Sequence, residues 1–397
     1  MTSTRGMVEP EVRWPARYNE IPKEVFVRKD VFELELERIF HGPEWHPVGH
    51  EGEIPNPGDF KTFSVGRVPL IINRDQQGEV NVFYNACSHR GNQLETRLHG
   101  NRTEFECPYH RWLFDSSGNL AGCPNYREFK PGFDKRDYPL SRPRTASFKG
   151  LIFVTFSETT PDIDSFLGDI RSTLGEALGE DGRLRLIGYQ RVTYRTNWKA
   201  YCDNDGYHAP LLHRAFKMLN WQGGKGRQYA TRERGHMGFE SELTAPTQVS
   251  MLKDNSIIAF EGVDPSKGSR VIELFPFFIA TKHLDTINLR FAIARSVDET
   301  EVHYAFFHHL DDSESLKRHR IRQSSNLLGP CGLISMEDAS VFHRVHVGNH
   351  TPGTVEFQKG VKTVDHLDFD FKQNDETGNL PRWEYYRSVM GFERVQA

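Results

Sequence analysis

Long apolar runs are missing: none of about 18 consecutive apolar residues occurs in the 397, which argues against a membrane-spanning helix. The opening MTSTRGMVEPEVRWPARY has no apolar segment of the secretory-signal kind, so a cytoplasmic location is expected. An excess of one charge is missing as well. Fifty basic residues face 54 acidic ones without a basic run, leaving no electrostatic footprint for nucleic acid or a membrane surface. Cysteine is scarce and odd in number (Cys87, Cys107, Cys123, Cys202, Cys331), which favours ligands or buried thiols over a disulfide framework. No repeat or low-complexity tract appears. GGKG at 223–226 follows no strand and lacks the G-x-G-x-x-G spacing, so no site for NADH or flavin is expected.

The length suggests two cores rather than one. RKDVFELELERIFHG (28–42) has helical spacing between Asp30 and Gly42, and residues 1–44 form a helical lead-in that packs with the second domain. From 45 to 158 the texture is short strand-like runs divided by Gly, Asn, Asp and Pro turns, which predicts a small all-β domain. Helical periodicity resumes in TTPDIDSFLGDIRSTLGEAL (159–178). The second domain, 159–397, mixes the strands IGYQRVTYRT, SIIAFEG and INLRFAIARSV with helices near 209–219, 312–328 and 337–345. Its fold class is α+β, an antiparallel sheet flanked by helices.

Four strong ligands fall within 24 positions: Cys87-x-His89, seventeen residues, then Cys107-x-x-His110. Each pair ends a strand-like run, VFYNAC or EFEC, so two hairpin tips would bring one Cys and one His apiece to a shared point. A structural Cys2His2 zinc is the plainer alternative, but such sites take C-x2-4-C and H-x3-5-H rather than this interleaving. A Rieske [2Fe-2S] cluster needs two Cys on one iron and two His on the other. One ligand for each iron from each loop meets that need.

CSHRGN and CPYHRW thus resemble the Rieske signature of non-haem iron ring-hydroxylating oxygenases. Respiratory Rieske proteins carry two further cysteines in these loops; here Gly91, with Asn92 beside it, and Tyr109 stand there, so no disulfide staples the loops. The resemblance implies the lower-potential oxygenase or ferredoxin version.

TNWKAYCDNDGYHAPLLHRAF (196–216) holds His208 and His213. Five residues apart on a regular helix is about 140°, too wide for one ion. Pro210 favours a helix's first turn, leaving His208 before the helix and His213 one turn inside. Alone, the pair reads equally well as ordinary histidines; with a cluster in the same chain it fits the 2-His-1-carboxylate arrangement of Fe(II) oxygenases. The resemblance extends to Asn197-Trp198-Lys199, Asp205, Tyr207, His208 and His213. It also implies the third ligand, nine positions after the first Gly of Gly329-Pro330-Cys331-Gly332, which is Asp338. Without it, Glu337 and Asp338 are even candidates, and either acid could simply complement a helix N-terminus starting near Met336. The stretch before Asp205 is about two residues shorter than the family form, leaving the roles of Asp203 and Asn204 open, as is that of Cys331.

In the family the residue matching Asp205 links a ligand His of its own chain to the second Rieske His of a neighbour. Carried over, Asp205 joins His208 to His110 of another subunit, where the plain alternative is a solvent-facing acid. This implies a ring of subunits, a homotrimer or an α3β3 assembly with a small β subunit. The expected activity is a terminal oxygenase that takes electrons from a reductase or ferredoxin, uses O2 at Fe(II), and dihydroxylates or hydroxylates an aromatic ring. The run before His213 looks most like the aromatic-acid branch (benzoate, salicylate, terephthalate). A carboxylated substrate needs a cation, for which Arg382 and Arg387 are candidates, although a C-terminal Arg more often serves structure. Competing readings are a monooxygenase for quaternary-ammonium or N/O-methyl substrates, which would show aromatic cation boxes, an electron carrier, for which the second domain is superfluous, and a zinc-stabilised binding module.

Overall fold

A computed structural model describes residues 9–203, 226–242, 250, 252–369, 371–373 and 375–396. The chain divides into two compact units, Pro43–Ile163 and the remainder, residues up to 42 with those from 164.

The Pro43–Ile163 unit consists of antiparallel strands: β1 His46–His50, β2 Asp59–Val65, β3 Val68–Arg74, β4 Val80–Tyr84, β5 His99–Asn101, β6 Glu104–Glu106, β7 Leu113–Asp115, β8 Leu120–Gly122, β9 Arg144–Phe148 and β10 Leu151–Thr155. They form sheets in the orders β9-β10-β1, β4-β3-β2-β5 and β6-β7-β8. Turn chemistry sets the register. Between β3 and β4, Asp75 Oδ1 accepts from the amides of Gln77 and Glu79, each at 2.9 Å, and Gly78 takes φ +91, the left-handed conformation that costs glycine little. Phe60, Ile71, Phe83, Phe105, Trp112, Phe114 and Leu120 form a core beneath the β4 and β6 strand ends, and it includes Cys87 and Cys107. Each such buried ring contributes about 1.5–3 kcal/mol.

The other unit is built on a sheet of eight strands: β11 Leu184–Tyr194, β12 Gly226–Ala230, β13 Met237–Ser241, β14 Ser269–Leu274, β15 Phe278–His283, β16 Thr286–Ser296, β17 Glu299–His309 and β18 Phe371–Lys372. Their order is β11-β17-β16-β15-β14-β13-β12-β18, with every adjacent pair antiparallel. With it go α1 Lys29–Glu35, α2 Arg171–Ala177, α3 Trp198–Cys202, α4 Glu314–Gln323, α5 Leu333–Gly348 and α6 Leu380–Met390. The lead-in helix is shorter than 28–42: after Glu35 it widens into a π-type turn, Leu36–Phe40, closed by the His41 amide on the Leu36 carbonyl at 2.9 Å. His41 leaves helical geometry at φ −108, ψ 3, and only glycine fits next, since a Cβ at Gly42 would meet the Arg38 carbonyl oxygen at 2.0 Å.

The strand expected over SIIAFEG does not form. Asp254 caps a 3-10 turn, Asn255–Ile258, and the amides of Glu261 and Gly262 donate to the Asp285 carboxylate at 2.7 and 2.8 Å. Those two donors go to a side chain instead of a neighbouring strand.

Among the described residues no helix is long and apolar enough to cross a membrane. The expected helix near 209–219 lies outside the described residues.

Three distant segments of the eight-stranded unit meet at Glu35, which is fully buried. Its Oε1 accepts from Lys199 Nζ and Tyr386 Oη, each at 2.5 Å, and its Oε2 from Trp198 Nε1 at 2.7 Å. Burial lowers the Lys199 pKa while the Glu35 charge opposes that shift. Helix α3, whose end leads into Asp203, is thereby tied to α1 and α6.

Candidate metal centres

The two cysteine loops repeat one construction. The Cys87 amide donates to the Asn92 carbonyl and the Gly91 amide to the Cys87 carbonyl, at 2.8 and 2.9 Å; the Cys107 amide donates to Trp112 and the Arg111 amide to Cys107, again at 2.8 and 2.9 Å. The fifth residue of each loop is left-handed, Gly91 at φ +73 and Arg111 at φ +62. An arginine in that region carries backbone strain, which the paired hydrogen bonds hold in place.

The construction turns the sulfurs inward, where Cys87 and Cys107 are buried and their side chains touch. Burial raises the Cys87 thiol pKa, and so does Cys107, while the amides of His89 and Arg90 aim at the sulfur and oppose the rise. The imidazoles face outward. His89 is exposed and its ring centroid lies 4.7 Å from that of His110. Its pKa is lowered by partial burial, then by the charges of His110 and Arg90. Trp112 stacks on His89 at 4.6 Å and 8°.

Cys therefore sits with Cys and His with His. Among the described residues no three His, Cys, Asp or Glu side chains close on one metal position. A two-and-two division suits a cluster of two irons, sulfur-ligated inside and nitrogen-ligated at the surface, better than one tetrahedral zinc. Two residues support the loops, and the role of one of them is not legible in the sequence. Buried Asn85 accepts at Oδ1 from the amides of Leu94 and Glu95, both 3.0 Å, and donates to the Glu95 carbonyl at 2.7 Å, fixing the chain just after the first loop. Its position two residues before the first Cys was the only signal. Trp112 closes the CPYHRW motif, but nothing in the motif gives its stacking on His89.

In the eight-stranded unit, Asp205, His208, His213 and Asn204 lie outside the described residues. Asp338 is described. Helix α5 begins at Leu333, earlier than Met336, so Glu337 and Asp338 lie beyond its first turn, where a helix dipole has little to offer an acid. Ile334, Asp338 and Phe342 follow at i, i+4 and i+8 on one stripe. Ile334 packs with Leu284, Leu327, Leu328 and Ile258, and Phe342 meets the rings of Tyr194 and Tyr201 at 5.1 and 5.2 Å. The Tyr194 and Tyr304 hydroxyls are 2.9 Å apart. Burial raises the Tyr194 pKa most, Tyr304 adds to it, Arg290 opposes it, and the Asp338 charge raises it further.

Arg290 of β16 thus stands in this neighbourhood, its guanidinium 5.2 Å from the Tyr304 ring centroid and its Nε 3.3 Å from Asn288 Oδ1. In the sequence Arg290 is one of several arginines in strands, and nothing marks it apart from the C-terminal Arg382 and Arg387. Arg382 instead pairs with buried Glu273 at 2.6 Å and Arg387 with Glu384 at 2.6 Å; both bind internal carboxylates. The Asp203 carboxyl accepts from Trp383 Nε1 at 2.8 Å, and burial pushes its pKa up to about 6. Cys331 is exposed.

Known proteins place this arrangement. The Rieske [2Fe-2S] domain family matches residues 44–139, and the ring-hydroxylating alpha subunit catalytic domain family matches 181–366. The anthranilate 1,2-dioxygenase large subunit of Burkholderia cepacia is 31% identical over 94% of this chain and 94% of its own. A terephthalate 1,2-dioxygenase terminal oxygenase component, subunit alpha 2, of Comamonas sp. is 28% identical over 98% and 99%. The crystal structure of naphthalene 1,2-dioxygenase from Rhodococcus sp. superposes with a TM-score of 0.80 at 24% identity, covering 94% of each chain, which shows a shared fold. The two domains bring a [2Fe-2S] cluster, a mononuclear iron and the use of O2, and subunits of this kind work with a separate reductase or ferredoxin. With both domains in order and a relative 31% identical along nearly its whole length, the chain belongs to the Rieske-type non-haem iron ring-hydroxylating oxygenases, as a large (alpha) subunit.

Proposed function

We propose that the chain is the terminal oxygenase for an aromatic ring bearing a carboxylate, and that Arg290 receives that carboxylate. The observation that carries this reading is a cation on the sheet face whose aromatic neighbours, Tyr194 and Tyr304, are the side chains that feel the Asp338 charge or adjoin those that do. The names of the anthranilate and terephthalate relatives support it. In this reading Cys87 and Cys107 hold one iron of the Rieske cluster and His89 and His110 the other; His208, His213 and Asp338 hold Fe(II). The cluster supplies single electrons and the mononuclear iron supplies O2 activation. The protein's part is to orient the ring: Arg290 anchors the carboxylate by charge-assisted hydrogen bonds, while Ile334 and Leu328 present apolar surface. Asp205 links His208 to His110 of a neighbouring subunit in a homotrimer, alone or with a small β subunit.

Product analysis across benzoate, anthranilate, terephthalate and neutral arenes, with a surrogate reductase, tests the reading. The expected products are cis-dihydrodiols or hydroxylated acids. Arg290→Gln should raise KM for acids by roughly 30-fold, the loss of about 2 kcal/mol of charge-assisted bonding, and leave neutral arenes unaffected; equal losses on both classes overturn the role of Arg290. Asp205→Asn should retain both metals and nearly abolish turnover, and unaltered turnover would sink the bridge.

A further inference from the structure

The face of the eight-stranded sheet away from Arg290 carries a cleft. Side chains alternate along β15, so Lys282 and His283 leave the sheet on opposite sides. Cross-strand pairing puts Ile279, two pleats before His283, opposite Arg290, so His283 shares the Arg290 face; its Nδ1 lies 2.7 Å from Ser269 Oγ. Lys282 pairs across the strands with Arg270, whose Nε donates to Glu176 of α2 at 2.6 Å. On this side a cleft of about 530 Å³, open to solvent, is lined by Lys282, Arg320, His309, Leu284, Ile287 and Val263 among others.

Other charges around the cleft are matched. Arg320 donates from Nε and Nη2 to Asp312 at 2.6 and 3.0 Å, and His309 Nε2 meets Asp181 at 2.9 Å. Asp285 accepts the amides of Glu261 and Gly262 and lies 3.4 Å from His319. Lys267 pairs with Glu180 at 3.3 Å. Lys282 is half-buried and, among the described residues, has neither a hydrogen bond nor an ion pair for its ammonium. Glu180 and Glu176 attract it, Arg320 and Lys267 repel it, and both glutamates are already engaged. A partly desolvated ammonium without a counter-ion favours an incoming anion.

We propose that this cleft binds a small carboxylate, its charge on Lys282 and its apolar body against the partly exposed Val263, on the sheet face opposite Arg290. One unmatched cation suits a monoanion; a second negative charge would face Asp312 and Asp285. The site is separate from the substrate position proposed above and does not depend on it.

Titration of the metal-loaded enzyme with benzoate, acetate and inorganic phosphate tests it. Benzoate should show a binding event that Lys282→Met weakens at least tenfold, that Lys282→Arg keeps and that Arg290→Gln leaves unaltered, with acetate binding more weakly. Turnover of Lys282→Met at saturating substrate should match the parent, which also shows that it folds. Absence of any Lys282-dependent benzoate binding overturns the proposal, and so does phosphate binding as tightly as benzoate.

Discussion

In the Pro43–Ile163 unit the two cysteine loops are held by bonds within themselves: each closes through two backbone hydrogen bonds spanning four or five residues, and Asn85 reaches only as far as Glu95. The catalytic unit does the reverse. Glu35 meets Lys199 across 164 positions and Tyr386 across 351, and the Asp338 stripe packs against residues of β11 and α3. Local closure makes a centre insensitive to distant substitutions but dependent on loop conformation. Long-range closure makes the second centre hostage to a few buried charges.

The comparison can be broken in three ways. The largest effect is expected from Lys199→Met, which strands the Glu35 carboxylate in the core; removing one partner of a buried pair costs about 3–5 kcal/mol. Denaturant unfolding should show this loss while the visible cluster spectrum of the folded protein is unchanged, and Glu35→Gln combined with Lys199→Met should recover part of it. A parallel loss of the spectrum would mean that the two units do not hold their centres independently. Next comes Asn85→Ala, which leaves two amides and a carbonyl unsatisfied, at about 2–3 kcal/mol. It should cut cluster loading, read as visible absorbance per chain, without reducing iron retained in the catalytic unit.

The smallest is a pH effect. Burial depresses His236 to about 3; its Nδ1 accepts the Phe275 amide at 3.0 Å, which requires an unprotonated nitrogen. The unfolded chain takes up a proton near pH 6.5 that the folded one refuses, so stability is lost as pH falls below that value, by roughly 2 kcal/mol at pH 5. His236→Asn should flatten this pH dependence; an unaltered slope removes His236 as its source.

These ranges of interaction also decide what could be read in the sequence. The cluster loops were legible because all four candidate ligands fall within 24 positions beside strand ends, and the strands over 187–196 and 287–297 appear as β11 and β16. Arg111 was not legible: nothing in its residue type marks a left-handed backbone, which arises from repetition of the Gly91 loop. The helix expected over 337–345 forms from Leu333, after Gly332 takes the extended backbone of an N-cap (φ −76, ψ 159) at a place where a Cβ would meet Leu327 backbone at 2.4 Å. SIIAFEG misled because an apolar run reads alike as a strand or as a turn packed on a core. Arg290 was hidden since, beyond its hairpin partner Tyr304, its surroundings arrive from β11 and α3, about 90 or more positions away.

Strand β11 forms one border of the eight-stranded sheet. Its pairing with β17 shifts register between Leu186 and Gly188, Arg191 and Thr193 are exposed, and Arg185 is partly so. A bulged border studded with arginine is a poor template for a further strand. The sheet can therefore remain long on this side without recruiting copies of itself, and replacing Arg185 and Arg191 with valine should shorten the protein's shelf life in concentrated solution before it alters turnover.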